Sequence, residues 1–426
     1  MPVDPDAALE AVWKLESGRI IATLLRMVRD LDTAEELAQD TLLSAWEGWR
    51  TRGIPENPAG WLMTTAKNRA IDHLRRQTVY GGIREHLSQT TADRTPADLT
   101  EEAAEKQIDD DVLRLMFTVC HPLLSAESRV ALALRLVNGL SVAEIARAYL
   151  LAESTLAQRI TRAKRTLKAA RVRLVMPEGS EREAQLASVL EAIYLIFNEG
   201  YTATTGPQWL RPTLCQEALR LARSLAGLVT RDSEVFGLAA LLEFQASRLP
   251  ARIDPAGQAV LLAEQNRARW DPLLMRRGFT YLEQAFGLDR PVGLYCLQAA
   301  IAACHARAST WEATDWEEIT ALYDALLQVH PTPVVALNRA VAVSMSEGPQ
   351  AGLKIVDDLR SEPQLSSYHL LYSVRGDLLQ KLGRHTEASR EFLHAASLTR
   401  NEQEQSLMQR RATECIAQET AGRNFN

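Results

Sequence analysis

The segment 141–168, SVAEIARAYLLAESTLAQRITRAKRTLK, constrains the fold most, because its pattern predicts two short helices separated by a break. Ser141 followed by Glu144 forms a capping box, which starts a helix by satisfying its free N–H groups. After a break at Leu150–Glu153, we expect Ser154 to cap the second helix. The predicted buried stripe of that helix repeats at helical spacing: Leu156, Ile160, Ala163 and Leu167.

The second helix of this pair carries an unbalanced charge. From Arg147 to Arg173 the chain has eight lysines and arginines but one acid, Glu153. The basic residues on its other faces are Arg159, Arg162, Lys164, Arg165 and Lys168. A solvated surface helix usually mixes both signs of charge. The pattern therefore favours a DNA-binding helix-turn-helix, whose second helix lies in a major groove with its N-terminal residues at the base edges.

Composition limits the class of protein. The chain has 426 residues, which suggests two to four domains, and its net charge of −6 makes the basic character local. It contains no apolar run of membrane-spanning length, and its N-terminal segment has no apolar signal core. We therefore expect a cytoplasmic protein with no membrane partner. The five cysteines are scattered, which argues against a disulfide framework.

Residue patterns typical of enzymes are missing from the sequence. There is no phosphate-binding glycine loop and no GxSxG motif, and His121 and His330 each precede a proline, as turn residues do. Cys296 and Cys304 can share a helix face beside His305, but this spacing favours buried thiols over a metal site. We expect no catalytic residue, no metal and no cofactor, and hence no enzyme.

Helix-forming residues dominate, and the fold class predicted is all-α. A helical region spans residues 8–78, with a break at Arg50–Pro58, and a second helical unit at 110–175 ends in the helix-turn-helix. Between them, residues 79–109 are predicted to be a flexible acidic linker, since residues 85–111 contain nine acids against two bases. Beyond a boundary at residues 177–180, a large helical extension spans 181–426.

The end of this extension has a repeat-like pattern. Small and aromatic residues in SVRGDLLQKLGRHTEASREFLHAAS have the spacing of a tetratricopeptide repeat (TPR): Gly376, Gly383, Ala388, Phe392 and Ala395. A degenerate copy precedes it in LNRAVAVSMSEGPQAGLKIVDDL. Stacked helix pairs of this kind form a curved binding surface. An ordinary α-helical domain is the alternative for the same segment.

A second basic segment, GWLMTTAKNRAIDHLRR at 60–76, combines an aromatic side chain with cations on a short helix. Aromatic stacking surfaces beside cations suit unpaired single-stranded bases. On its own this pattern favours a helix with Trp61 in the core and its cations on the surface. Together with the upstream TAEELAQDTLLSAWEGW, however, it resembles region 2 of the sigma-70 family. Residues 110–174 resemble region 4, and the pair is similar to extracytoplasmic function (ECF) sigma factors, which keep only these two regions.

The resemblance implies partners and site residues. Region 2 of the family binds the β′ clamp helices of core RNA polymerase, and the resemblance also implies that the chain contacts the β flap of the polymerase. The implied core-binding residues are Glu35, Glu36, Leu37, Gln39, Asp40, Leu43 and Trp46. The segment Arg52–Pro58 and the following helix would melt and bind the −10 promoter element through Trp61, Thr64, Lys67, Asn68, Arg75 and Arg76. The −35 element would be read in the major groove by Ser154, Thr155, Gln158, Arg159 and Arg162.

Two departures limit what the resemblance implies about promoter sequence. Many ECF relatives have Arg-Ile-Ala where this chain has Thr64-Thr65-Ala66, and many have Lys where it has Ala157. The extension also resembles a group of ECF sigma factors with a long TPR-like C-terminal domain, through IFNEGYTAT and PVVALNRAVAVS among other segments. In that group the extension is thought to control activity, through a regulatory protein or a ligand. Within IFNEGYTAT, Gly200 is expected to be a left-handed helix cap, and the roles of Glu199 and Tyr201 stay open.

Two other classes of function fit parts of the sequence. A one-component regulator would use the helix-turn-helix at an operator and the C-terminal domain as a sensor, but it would not need residues 34–76. A scaffold protein would bind partners through its repeats, with incidental DNA contacts. Co-purification with core polymerase separates the first from a sigma factor, and deletion of residues 181–426 separates the second.

Overall fold

The computed structural model of the chain describes residues 4–80, 101–149, 151–172, 176–202, 205–206, 210–255 and 258–423. The chain divides into two compact units, Met1–Leu195 and Ile196–Asn426. Eighteen α-helices fall within the described residues, which confirms the predicted all-α class.

Eight helices begin in the first unit, and a π-helical turn, Ala133–Val137, directly follows the fifth. They are α1 Pro5–Val28, α2 Leu31–Arg52, α3 Pro58–Tyr80, α4 Glu101–Val119, α5 Ala126–Leu132, α6 Val142–Ala148, α7 Glu153–Ala169 and α8 Gly179–Tyr201. Helix α8 runs across the boundary between the units.

Ten further helices belong to the second unit. They are α9 Pro212–Leu228, α10 Ser233–Ser247, α11 Pro272–Gly287, α12 Leu294–Arg307, α13 Trp316–Val329, α14 Pro333–Ser346, α15 Pro349–Leu359, α16 His369–Lys381, α17 His385–Leu398 and α18 Glu402–Arg423. Short 3-10 turns occur at Leu249–Ala251, Leu262–Glu264, Arg267–Arg269 and Pro363–Leu365. Two-residue strands β1 Thr205–Gly206 and β2 Arg400–Asn401 pair in parallel, Thr205 opposite Arg400.

Helix α1 is the centre of the first unit. Asp4 caps its start by accepting a hydrogen bond from the Asp6 amide at 3.1 Å, and Arg29 ends it in the left-handed conformation with φ 56°. Its Ile20 and Leu24 are completely buried, and α1 packs against α2, α3, α4 and the π-helical turn. The two predicted DNA-binding modules therefore share one core.

Small residues permit the close approach between α1 and the segment before α6. A Cβ atom on Gly18 would lie 2.5 Å from the Val137 carbonyl oxygen, and one on Gly139 would collide with Ser17 Oγ. Gly139 also has φ +73°, which favours glycine. Between α1 and α4, the Arg26 guanidinium donates to the buried carboxylate of Asp111 at 2.8 Å.

The second unit contains the two helix pairs that the repeat pattern predicts. Helices α16 and α17 are joined through Gly383 at φ +74°, and the ring of Phe392 packs where a Cβ on Gly376 would stand, 2.8 Å away. Helices α14 and α15 are joined through Gly348 at φ +100° in the degenerate copy. Phe392, Ala388 and Ala395 are fully buried in one cluster with residues of α14, α15 and α18.

Two local predictions were wrong. Gly200 lies inside α8 with ordinary helical geometry, not in a left-handed cap. A Cβ there would meet the Cys215 backbone nitrogen at 2.7 Å, so the glycine permits a close approach to α9. Helix α4 begins at Glu101, eight residues before the predicted end of the linker. Most of the predicted flexible linker, residues 81–100, lies outside the described residues.

The cysteines are buried and unpaired within the described chain. Cys296 Sγ donates to the Ser233 carbonyl oxygen at 3.1 Å and Cys304 Sγ to the Ala300 carbonyl oxygen at 3.3 Å. These two thiols are therefore held by helix backbone atoms. Among the residues that can be described, no helix is both long and apolar enough to span a bilayer.

Candidate nucleic-acid and protein interfaces

The helix-turn-helix forms as predicted in its first half. Ser141 caps α6, its Oγ accepting from the Glu144 amide at 3.1 Å, and the Glu144 carboxylate accepts from the Ser141 amide at 2.8 Å. This confirms the predicted capping box. Helix α7 starts at Glu153, and its N-cap is Ala152, without a side-chain bond. The prediction that Ser154 is the cap was therefore wrong, since the helix already includes it.

Helix α7 has a buried stripe and an opposite exposed face. The buried residues are those predicted: Leu156, Ile160, Ala163 and Leu167. Of the predicted −35 residues, Ser154, Thr155, Gln158 and Arg162 are exposed, whereas Arg159 is half-buried. Thr155, Gln158 and Arg162 share one face because they lie three and four residues apart; we call them the α7 face. Arg165, which the site prediction omitted, follows Arg162 by three residues on the same side and is also exposed.

Helix α3 brings most of the predicted −10 residues to one side. Trp61, Thr64, Asn68 and Arg75 recur at intervals of three, four and seven residues, and this set is the α3 face. Thr64, Asn68 and Arg75 are exposed, and Trp61 is half-buried. Lys67 and Arg76 lie beside the stripe, half-buried and exposed respectively. The face thus combines an aromatic ring, a hydroxyl, an amide and a guanidinium, all open to solvent at least in part.

Contacts with α2 fix the orientation of α3. The ring of Trp61 packs edge-on against that of Trp49, with centroids 6.1 Å apart. The Arg69 guanidinium donates to Ser44 Oγ and lies 3.6 Å from the Asp40 carboxylate. Arg69 therefore positions the two helices. The preceding turn contains Gly53 at φ +85°, and Asn57 Oδ1 accepts from the Gly60 amide at the start of α3, at 2.9 Å.

Helix α2 presents a second exposed face, which differs in chemistry from the other two. Glu36, Gln39, Leu43 and Trp46 are spaced by three or four residues and are all exposed; these four residues are the α2 face. Leu43 is 58% exposed and Trp46 44%, and the Arg50 guanidinium lies 4.0 Å from the Trp46 ring centroid. An exposed apolar pair flanked by polar residues is typical of a protein-binding surface.

Two of the seven predicted core-binding residues lie elsewhere. Leu37 is buried in the core, nine residues before Trp46 and hence on the opposite side of α2 from it. Glu35 is only 8% exposed, and its carboxylate accepts from Arg135 Nε at 2.7 Å and pairs with Lys164 Nζ. Burial raises the pKa of Glu35, but the hydrogen bonds and charges of Lys164 and Arg135 outweigh burial and hold the pKa below its usual value. Asp40 is half-buried beside Arg69.

The two residues left open in IFNEGYTAT lie against neighbouring arginines. The Glu199 carboxylate pairs with the Arg211 guanidinium, and both side chains are mostly buried. The Tyr201 ring lies 3.7 Å from the Arg252 guanidinium carbon and stacks on Phe197 with centroids 5.5 Å apart. These contacts stabilise the junction of α8, α9 and α10.

Comparison with known proteins matches this layout. Residues 14–79 match Sigma-70 region 2 and residues 114–167 match Sigma-70, region 4. Residues 185–286 match a family of unknown function, DUF6596. The first two spans include the α2, α3 and α7 faces.

Relatives of two kinds are found. Uncharacterized protein R00370 of Rhizobium meliloti (strain 1021) is 43% identical over 384 residues, 90% of each chain. ECF RNA polymerase sigma factor SigL of Mycobacterium tuberculosis (strain ATCC 25618 / H37Rv) is 30% identical over 163 residues, 38% of this chain and 88% of the relative. ECF RNA polymerase sigma factor SigK of Mycobacterium bovis (strain BCG / Pasteur 1173P2) is 26% identical over 163 residues, 38% and 84% of the two chains. The chain therefore belongs to the sigma-70 family, as an extracytoplasmic function (ECF) sigma factor with a long C-terminal extension.

Proposed function

We propose that this chain binds core RNA polymerase and directs promoter-specific initiation, and that each of its three exposed faces has one task. The α2 face binds the β′ clamp helices, the α3 face binds the −10 element, and the α7 face binds the −35 element. The observation that carries the proposal is that the residues of each face line one side of a helix within matched sigma-70 regions.

The α2 face suits a protein partner because its centre is apolar. Leu43 and Trp46 are among the large apolar side chains that stay exposed in the described chain. Burying them against clamp helices would remove apolar area from water, and aromatic residues at the centre of an interface commonly dominate its affinity. Leu37 has no place in this contact because it is already in the core.

The α3 face suits unpaired DNA bases, and the α7 face suits duplex DNA. Thr155, Gln158 and Arg162 project from the first turns of α7, where a helix in the major groove meets base edges. Arginine that is bidentate to guanine contributes about 1–3 kcal/mol of discrimination. On α3, Trp61 offers a partly exposed aromatic ring for an unstacked base, and Asn68 offers an amide for the hydrogen-bonding groups of the base. Arg75 and Arg76 would hold phosphates.

The extension, residues 181–426, would regulate this activity. Its helix pairs α14–α15 and α16–α17 have the packing of repeat proteins that bind partners on an extended surface, and it contains the matched family of unknown function. The regulator would be a protein or a small ligand. No catalytic activity of its own is proposed for the chain.

Transcription with purified components tests the proposal. Core polymerase with a pool of genomic templates should give discrete run-off products when the chain is added. Absence of products from every template, together with absence of core binding, would overturn it. Because α8 contributes buried residues such as Leu190 and Val189 to the first unit, the truncated comparison should end at Leu195. Equal output and equal core affinity for the full and truncated chains would contradict regulation by the extension.

A further inference from the structure

A cavity of about 620 Å³ lies in the second unit between helices α9, α10 and α11. Its volume is within the range of pockets that hold small molecules, about 300–1,000 Å³. Each of the three helices contributes to the lining: Arg223 and Gly227 come from α9, Phe236 from α10, and Tyr281 and Gly287 from α11. None of these residues belongs to the α2, α3 or α7 faces.

Two glycines keep the cavity open. Gly227 is the last residue but one of α9, and Gly287 is the last residue of α11. A glycine at a helix end is commonly a left-handed cap, but neither of these has a positive φ, and a Cβ on either would meet no atom within 4 Å. Among the glycines whose surroundings the structure describes, they are the two that neither a positive φ nor a close neighbour explains. Glycine also permits close approach of a ligand to the backbone, so their position in one cavity points to a ligand.

An aromatic pair forms another part of the lining. The rings of Phe236 and Tyr281 stack with their centroids 6.2 Å apart and an angle of 23° between their planes. Phe236 is buried and Tyr281 is half-buried. Aromatic rings associate favourably with further rings, offset or edge-on, and the bare backbone at Gly227 and Gly287 leaves room for a flat molecule. The shape and the apolar surface of the cavity therefore favour a planar aromatic ligand.

Two side chains of the cavity hold hydrogen-bond donors that have no acceptor. Arg223 Nε and Nη2 donate to the Glu243 carboxylate at 2.6 Å and 2.9 Å, whereas Arg223 Nη1 and the Tyr281 hydroxyl have no hydrogen-bond partner among the described residues. Burial, and then the charge of Glu243, raise the pKa of Tyr281, so its phenol keeps the proton at neutral pH and can donate it. A ligand that fills the cavity should therefore carry an acceptor oxygen.

The charges around the cavity favour an uncharged ligand. The Arg223 cation is matched by Glu243, whose side chain is completely buried. The C-terminal ends of α9 and α11 border the cavity at Gly227 and Gly287, and a helix C-terminus carries a partial negative charge that disfavours anions. A cationic ligand would bring further donors to Arg223 and Tyr281, which already lack acceptors.

We propose that the cavity between α9, α10 and α11 binds an uncharged planar aromatic compound that carries a carbonyl oxygen. The ring of the ligand lies against Phe236 and Tyr281, and its oxygen accepts hydrogen bonds from Arg223 and from the Tyr281 hydroxyl. The site would provide the extension with a small-molecule ligand. The use of that ligand in regulation rests on the proposed function, whereas binding does not, because it is measured without polymerase.

Titration of the full-length chain with Prodan, an uncharged planar naphthalene ketone, tests the site. Prodan emission shifts to shorter wavelength in an apolar environment, and we expect a saturable shift with one molecule bound per chain. Gly227→Leu and Gly287→Leu place side chains in the cavity, and each should weaken binding at least tenfold. Gln216→Leu adds the same side chain at an exposed position about three turns earlier in α9 and should bind as the wild type does. No saturable shift with the wild type, or wild-type affinity in either glycine variant, would overturn the proposal.

Removal of one hydroxyl tests the role of the acceptor oxygen. Tyr281→Phe keeps the ring, and the variant should fold as the wild type does, because the hydroxyl has no hydrogen-bond partner among the described residues. It should weaken Prodan binding about fivefold, through loss of one hydrogen bond. Naphthalene, which has no acceptor, should bind the variant and the wild type equally. Unchanged affinity of the variant for Prodan would overturn the assignment of a carbonyl ligand.

Competitors of similar shape and different charge test the class of ligand. Acetylnaphthalene, which is uncharged, should displace Prodan at concentrations at least fivefold lower than naphthoate or naphthylmethylammonium. Displacement by either ion at an equal or lower concentration would overturn the assignment of an uncharged ligand. These titrations contain neither polymerase nor DNA. A failure of run-off transcription therefore leaves the ligand site standing, and a failure to bind Prodan leaves the sigma activity standing.

Discussion

Replacement of Trp46 by alanine should weaken core binding without weakening the fold. Trp46 is 44% exposed, and a tryptophan side chain can bury up to about 250 Å², so its exposed part is roughly 110 Å². At about 25 cal/mol per Å², burial of that area against a partner contributes about 2.7 kcal/mol. Because 1.4 kcal/mol corresponds to a tenfold change, the variant should bind core up to about a hundredfold more weakly.

Fluorescence anisotropy of labelled chain titrated with core polymerase, without DNA, measures this loss. Leu15→Ala is the matched control, because Leu15 is 62% exposed on α1 and lies outside the α2 face. Its affinity should stay within about twofold of the wild type. The thermal unfolding midpoint of Trp46→Ala should hardly move, since the side chain is not in the core. Equal core affinities for Trp46→Ala and Leu15→Ala would refute the assignment of the α2 face.

Three further predictions concern stability, pH and DNA. Burial, and then two nearby arginines, lower the pKa of His305 to about 3; the folded state therefore binds this proton less readily than the unfolded state. The associated stability is present above pH 6.5 and is lost as pH falls towards 3. Between pH 7.5 and 5 the protein should lose about 2 kcal/mol in the free energy of unfolding through this group. Urea titrations at the two pH values should show that this part of the pH dependence is absent from His305→Gln. Gly139→Ala should cost about 2–4 kcal/mol in the free energy of unfolding, from its positive φ and the collision with Ser17. Gly53→Ala is the control, because Gly53 has φ +85° but open space around it, and it should cost only about 1–2 kcal/mol. Equal losses of stability for Gly139→Ala and Gly53→Ala would argue against close packing of Gly139 on α1. Arg162→Ala should reduce the preference for a cognate −35 duplex over a scrambled one about tenfold, as measured by competition binding; equal losses on both duplexes would indicate phosphate contact alone.

Short-range patterns in the sequence predicted short-range structure well. The capping box of α6 and the buried stripe of α7 depend on residues three or four positions apart, and both formed as expected. The exposed stripes on α2 and α3 also follow from helical spacing, because the core buries one side of each helix and leaves another side exposed to solvent. The start of α7 was predicted less well: Ser154 is a typical N-cap residue, but the helix already begins at Glu153, with Ala152 as its N-cap.

Tertiary contacts explain what the sequence could not predict. Gly200 has the local sequence of a helix end, yet close approach of α9 at Cys215 requires a glycine inside the helix. Glu35 resembles its exposed neighbour Glu36, but its partners lie 100 and 129 residues away. No local pattern reports such pairing, because it depends on how two modules pack. The inward orientation of Leu37 likewise depends on which side of α2 meets α1.

The distribution of transcript 5′ ends on a genomic template pool tests the central claim most directly. Core polymerase is supplied with the full chain or with a chain carrying Trp46→Ala, and the starts are mapped by sequencing. Sigma activity predicts discrete starts that share two upstream sequence elements, near −10 and −35, with far fewer such starts for the variant. Starts that share no upstream elements, or that are the same with core alone, would contradict the account.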